Sequence, residues 1–62
     1  MCLSTVYKNT MEESSVVMKN VMRIECADGQ VILTDLMDRS VSIEGSLSEA
    51  NLVEGFVIVK TA

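Results

Sequence analysis

The sequence contains no histidine, proline or tryptophan, and its only aromatic residues are one tyrosine and one phenylalanine. Without histidine, the chain has no obvious general acid or base near neutral pH, and it can form no Ser–His or Cys–His pair. Two aromatic side chains are too few for a surface on which nucleic-acid bases stack. The composition therefore predicts a binding protein and argues against an enzyme.

Basic residues are also scarce, with 5 Lys and Arg against 9 Asp and Glu and a net charge of −4. Affinity for nucleic acids comes mainly from basic side chains that neutralise phosphates, so this balance argues against nucleic acid as a partner. No apolar run approaches the roughly 20 residues that span a bilayer, and no segment resembles a signal peptide. We therefore expect a cytoplasmic protein that does not contact membranes and keeps its thiols reduced.

The chain has 62 residues, which is near the lower limit for independent folding. We treat residues 1–62 as a single domain. A domain of this size usually needs a disulfide, a metal or a partner subunit for stability. Two cysteines form at most one disulfide, whereas 48% of the residues are hydrophobic. The composition thus favours a homodimer with an apolar seam.

Short runs of β-branched residues predict an all-β fold. The predicted strands cover 2–8, about 15–18, about 21–27, 30–36, 40–44 and 56–60. Apolar residues at helical spacing leave a helix open for residues 15–20. About five to seven short antiparallel strands close most readily as a small SH3-like barrel or a strongly bent antiparallel sheet.

Turn residues separate these strands. Asp28-Gly29 supplies the positive φ values of a type I′ turn, which joins adjacent antiparallel strands. Further turns are predicted at 35–39, at Gly45, at 46–51 as one irregular turn, and at Gly55. Gly45 also permits a close approach of two backbones. The run 56–60 is continuously apolar, which is typical of a strand buried on both faces, one against the core and the other against a second subunit.

Cys2 carries the most distinctive chemistry of the sequence. If Met1 is removed, Cys2 offers a thiolate and an α-amine that together close a five-membered chelate around a metal. A deprotonated amide of Leu3 would add a further donor. Planar sulfur and nitrogen donors suit Ni²⁺ or Cu²⁺, whereas Zn²⁺ prefers a tetrahedron. One terminus supplies too few ligands, so a closed site needs two copies. The alternative is that Cys2 is a small apolar residue at a frayed end.

Other candidate ligands have simpler interpretations. Cys26 shares no metal-motif spacing with Cys2 and is predicted to be a buried structural thiol. The five methionines form no copper-binding cluster and are predicted to fill the core. The remaining carboxylates of interest are predicted to be solvated turn residues: Asp35, Asp38, Glu12 and Glu13.

Four segments together resemble one known family. They are the MC start followed by a strand, CADGQVILTDLMDR at 26–39, VSIEGSL at 41–47 and GFVIVK at 55–60. This combination resembles the CooT family, whose members were once listed as RNA-binding and are now regarded as nickel-binding. Only the MC start is chemically specific, and the other segments are scaffold pattern.

The resemblance implies a compact all-β, SH3-like homodimer that binds Ni(II) through Cys2. It also implies a part in the maturation of nickel carbon monoxide dehydrogenase, with that enzyme or its maturation factors as partners. The leading hypothesis is therefore a nickel-binding accessory protein, either a metallochaperone or a nickel store. The alternatives are a small-barrel RNA-binding module and a protein–protein adaptor that binds along a strand edge.

Overall fold

The computed structural model describes residues 3–61, which form one sheet of six strands with no α-helix. In chain order the strands are β1 Ser4–Lys8, β2 Val16–Ala27, β3 Gln30–Asp35, β4 Ser40–Glu44, β5 Ser46–Asn51 and β6 Phe56–Lys60. A single 3₁₀ turn at Glu13–Ser15 precedes β2. The all-β prediction is confirmed. Within residues 3–61 there is no helix long and apolar enough to cross a bilayer.

The strands lie in the order β4-β3-β2-β1-β6-β5. Neighbouring strands are antiparallel except for β1 and β6, which run parallel. The predicted antiparallel sheet is therefore correct apart from this central pair. A parallel pair needs a long crossover, and the four intervening strands provide it here. Of the two predicted shapes, the structure adopts the bent open sheet.

Gly45 explains how strongly the sheet bends. β4 and β5 are opposite edges of the sheet, yet only this residue separates them in sequence. The sheet must therefore curl until its two edges meet at this point. Gly45 has a φ of 154°, its N–H donates to the Gly29 carbonyl at 2.9 Å, and a Cβ would collide with the carbonyl oxygen of Lys60. The predicted close backbone approach is confirmed.

A small aliphatic core lies inside the curl. Its fully buried members come from four strands: Val6, Val21, Val31, Leu33, Val57 and Val59. Val6 pairs with Val57 across the parallel strands, and Val31 pairs with Ile43 across β3 and β4. Each buried side chain contributes about 1.5–3 kcal/mol relative to exposure. Six such residues make a modest core, and stabilisation by a second copy stays a prediction.

β2 is one continuous strand of 12 residues, so the prediction of two strands broken near residues 19–20 is wrong. The irregularity exists as a bulge, because Ser4 pairs with Val21 whereas Val6 pairs with Met18. Asn20 has a φ of 56° within it. The bulge bends β2 so that its first half pairs with β1 and its second half with β3. Strand is confirmed over helix for residues 16–20.

Residues 46–51 form strand β5, so the predicted irregular turn there is wrong. The segment is polar because it is an edge strand with a partner on one side, and nearly all of its side chains are exposed. The following hairpin turn is confirmed, with Gly55 at a φ of 78°. The turn at Asp28-Gly29 is also confirmed, since both residues have positive φ as a type I′ turn requires.

Candidate metal centre at the start of strand β1

The predicted metal ligand, Cys2, lies outside the described residues, which begin at Leu3. The structure therefore describes the framework that holds the segment immediately after it. This framework consists of the first residues of β1, the bulge of β2 and the turn between β5 and β6.

The start of β1 is fixed from both sides. The Thr5 N–H donates to the Gly55 carbonyl at 2.9 Å. The Leu3 carbonyl oxygen lies 3.4 Å from the position that a Cβ on Gly55 would occupy, so the two segments pack closely. On the other side, Ser4 is buried and pairs with Val21 of the core. The residue after Cys2 is therefore followed by two residues that pair with strands on both sides of β1.

An apolar surface on the side of the sheet away from the core lies beside the start of β1. Side chains alternate across a strand, so the neighbours of Val6, Val57 and Val59 face away from the core. They form what we call the outer face, which consists of Thr5, Tyr7, Phe56 and Ile58, all half-buried. The register pairs Thr5 with Phe56 and Tyr7 with Ile58. Of the predicted burial of β6 on both faces, the structure shows the core face buried and the outer face half-buried, and the contact with a second subunit stays a prediction.

The turn before β6 adds the most exposed apolar side chains near the start of β1. Leu52 is 67% exposed and Val53 is 97% exposed. These residues precede Gly55, whose carbonyl binds Thr5. Apolar side chains that are accessible to solvent therefore lie both on the outer face and in the turn before β6.

Residues 3–61 contain no group of three or more His, Cys, Asp or Glu side chains that could hold a metal ion. Cys26 is free and exposed, so the prediction of a buried thiol is wrong. It lies near the Asp28-Gly29 turn, where neighbouring residues of the hairpin are also exposed. Five positions along β2 separate it from Val21, the partner of Ser4, which corresponds to about 16 Å at the rise of a strand. Cys26 therefore lies far from the start of β1.

Asp35 is the buried charged group of the described residues. Its side chain is 3% exposed, and its Oδ1 accepts the backbone N–H groups of Met37 and Arg39 at 2.9 Å each. Its Oδ2 accepts Nε of Arg39 at 2.8 Å. The Arg39 backbone N–H lowers the pKa of Asp35, burial opposes this shift, and the Arg39 side chain lowers the pKa further.

The prediction of a turn at 35–39 is confirmed, but the prediction that Asp35 is solvated is wrong. The carboxylate is buried because the turn folds its own N–H groups over it. The DLMDR spacing of an acid four residues before an arginine is the sequence signal that could have indicated this. The contacts give Asp35 a structural role.

The methionines also depart from the prediction of core packing. Of those described, only Met18 packs against the core. Met11, Met22 and Met37 are 54%, 47% and 74% exposed. Met22 is displaced by the second bulge of β2, between Val21 and Arg23. The other two lie in a loop and in the turn after β3.

Comparison with known proteins gives one family. The family model described as CO dehydrogenase accessory protein CooT matches residues 1–60, which is nearly the whole chain. No curated protein matches the sequence. The family match includes the MC start and all six strands of the sheet. The chain therefore belongs to the CooT family of CO dehydrogenase accessory proteins.

Proposed function

We propose that this accessory protein binds Ni(II) through the Cys2 thiolate of a homodimer and serves the maturation of carbon monoxide dehydrogenase. Membership of the CooT family supports an accessory role for that enzyme. The observation that carries the nickel proposal is the fixed position of Leu3 and Thr5 beside Gly55. A donor one residue before Leu3 is bonded to a well-anchored point, which limits the entropy lost when it binds a metal.

The donor count favours two copies. The chain has no histidine, and residues 3–61 assemble no side-chain metal site. One thiolate with one or two nitrogen donors leaves the coordination sphere of a metal incomplete. Two sets of one thiolate and one nitrogen, one set from each copy, supply sulfur and nitrogen ligands in the number that planar Ni²⁺ accepts. Binding would release the thiol proton, so affinity would rise with pH.

The outer face is the surface that supports a dimer at this place. It contains both aromatic residues of the chain, Tyr7 and Phe56, together with Ile58. Aromatic residues are enriched in the cores of protein interfaces. Because Thr5 and Tyr7 belong to β1, joining two outer faces would bring the two β1 strands together. The two Cys2 residues would lie close together when the two β1 strands meet near their first residues.

Nickel titration of the wild type and two cysteine variants tests the metal site. We expect the wild type to show thiolate-to-nickel charge-transfer absorption. Cys2→Ser removes the proposed thiolate and should abolish that absorption and weaken binding about 100-fold or more. Cys26→Ser is the matched control and should behave as the wild type, since Cys26 is exposed and distant from the start of β1. Unchanged absorption in Cys2→Ser would contradict the proposal.

Sedimentation of outer-face variants tests the dimer. Ile58→Lys places a charge on the proposed seam and should yield monomers that bind nickel weakly. Tyr7→Lys gives a second test at a different strand, in case Ile58→Lys fails to fold. Val41→Lys is the control, because Val41 is an exposed residue on the distant edge strand β4. Folded monomers with full nickel affinity would contradict a site shared between copies.

A further inference from the structure

Positive charge is concentrated in one place on this acidic protein. Two adjoining cavities, of about 360 and 500 Å³, share Val17 in their walls. Lys8 lines the first, and Lys19 and Arg39 line the second. The only acidic side chain among their lining residues is Asp35. The walls thus have 3 − 1 = +2 charges, whereas the whole chain has −4.

We call the two cavities together the cationic cleft. Its basic side chains are available to a ligand. Among the described residues, ion pairs form only between Arg23 and Glu25 and between Arg39 and Asp35. Asp35 binds Nε of Arg39 and so holds the guanidinium beside the cleft. The Arg39 side chain is 75% exposed, and the terminal amino groups of its guanidinium have no hydrogen-bond partner within residues 3–61. The ion pair has already restricted the motion of this guanidinium, so a ligand that binds it causes little further loss of conformational entropy.

The cleft also has an apolar wall. Val17 and Met18 are half-buried and pack against the core, and Val41 is 37% exposed. They lie between the bulge of β2 and the start of β4. A ligand therefore meets methyl and thioether groups alongside the cations. This combination fits a chain that alternates carboxylates with aliphatic side chains.

We propose that the cationic cleft binds an acidic, aliphatic peptide segment of a partner protein. A peptide fits better than a single small acid, because the cations are spread over two separate cavities that share Val17 in their walls. A nucleic acid fits less well, since three cations neutralise few phosphates and neither aromatic residue lines the cleft. The proposal does not depend on nickel binding, because no lining residue belongs to the start of β1.

Backbone amide NMR with a short acetylated peptide of alternating glutamate and leucine tests the proposal. We expect shifts concentrated at Val17, Lys19 and Val41, and binding that weakens as salt increases. A peptide with lysine in place of glutamate and a single-stranded RNA of similar length are the competing probes. Equal or stronger binding of either probe, or no shifts with the acidic peptide at millimolar concentration, would overturn the proposal.

Charge-reversal variants locate the binding surface. Lys19→Glu should weaken peptide binding about tenfold, and Lys8→Glu should weaken it less, because Lys8 is the only cation of the first cavity whereas Lys19 shares the second cavity with Arg39. Lys60→Glu is the matched control, since this exposed lysine lines neither cavity, and it should bind as the wild type. Equal losses in all three variants would indicate a general effect of net charge and overturn the assigned surface. Repeating the titration with Cys2→Ser, without metal, separates this result from the outcome of the nickel proposal.

Discussion

The two turns that flank β3 are maintained by different means. The Asp28-Gly29 turn before β3 is exposed and depends on backbone conformation, with φ values of 52° and 75°. The Asp35–Arg39 turn after it depends on a buried carboxylate that binds two backbone N–H groups and one guanidinium. The first turn is specified by which residues tolerate positive φ, and the second by which side chain can accept several hydrogen bonds.

This difference determines how each turn fails. A substitution in the first turn strains two φ angles but leaves no buried polar group unpaired. A substitution of Asp35 removes the acceptor that three donors share, and those donors then lose their partner. Three hydrogen bonds to one charged, buried acceptor contribute more to stability than a modest backbone strain costs. The structure therefore predicts a ranking of variants.

The largest effect is expected from Asp35→Ala. The variant loses the acceptor of the Met37 and Arg39 N–H groups, so the turn should loosen and the urea midpoint should fall the most. Amide hydrogen exchange at these two residues should accelerate more than elsewhere. Asp35→Asn keeps one acceptor oxygen and should lie between Ala and the wild type. If Asp35→Ala is no less stable than a variant of the first turn, the comparison between the turns is wrong.

A smaller effect is expected from Gly29→Ala. The position that a Cβ would occupy has no other atom within 4 Å, so the cost is only that of a positive φ. This strain amounts to about 1 kcal/mol and should appear in urea denaturation with an unchanged slope. Gly45→Ala is the contrasting glycine variant, since its Cβ meets the Lys60 carbonyl and should cost clearly more. Equal losses for the two glycines would contradict this assignment.

The smallest effect is expected from the protonation of Asp35, in the Asp35–Arg39 turn, at low pH. The pKa of Asp35 is lowered in the folded protein, so its charge stabilises the fold fully above the unfolded pKa of about 4. That contribution is lost as the pH falls below 4 through the folded pKa. Protonation removes the charge but leaves an acceptor oxygen in place, which keeps the loss small. The free energy of unfolding of Asp35→Asn should therefore change less than that of the wild type between about pH 5 and about pH 2, a range that brackets the pKa of an ordinary aspartate.

The elements that could be predicted from the sequence are those specified by neighbouring residues. The type I′ turn at Asp28-Gly29, the strand Ser40–Glu44 and the hairpin at Gly55 all follow from local conformational preferences. The family resemblance also rested on local segments and is confirmed by the match over residues 1–60.

The elements that could not be predicted depend on distant partners. Ser46–Asn51 is a strand because β6 pairs with it, although its composition is that of a loop. The parallel alignment of β1 and β6 depends on the path of the whole chain. The environment of Cys26 depends on where the core ends along the β2–β3 hairpin. The role of Cys2 stays a prediction, since it lies outside the described residues.

The parallel pairing of the first strand with the last has a consequence during protein synthesis. The flank of β1 that β6 covers stays bare until residues 56–60 have left the ribosome. The hairpins made by β2, β3 and β4 can form earlier, because their partners are adjacent in sequence. The anchoring of Leu3 and Thr5 by Gly55 is therefore a late event of translation. A nascent chain that lacks residues 56–60 would therefore leave the segment after Cys2 without the partner strand that flanks its anchor.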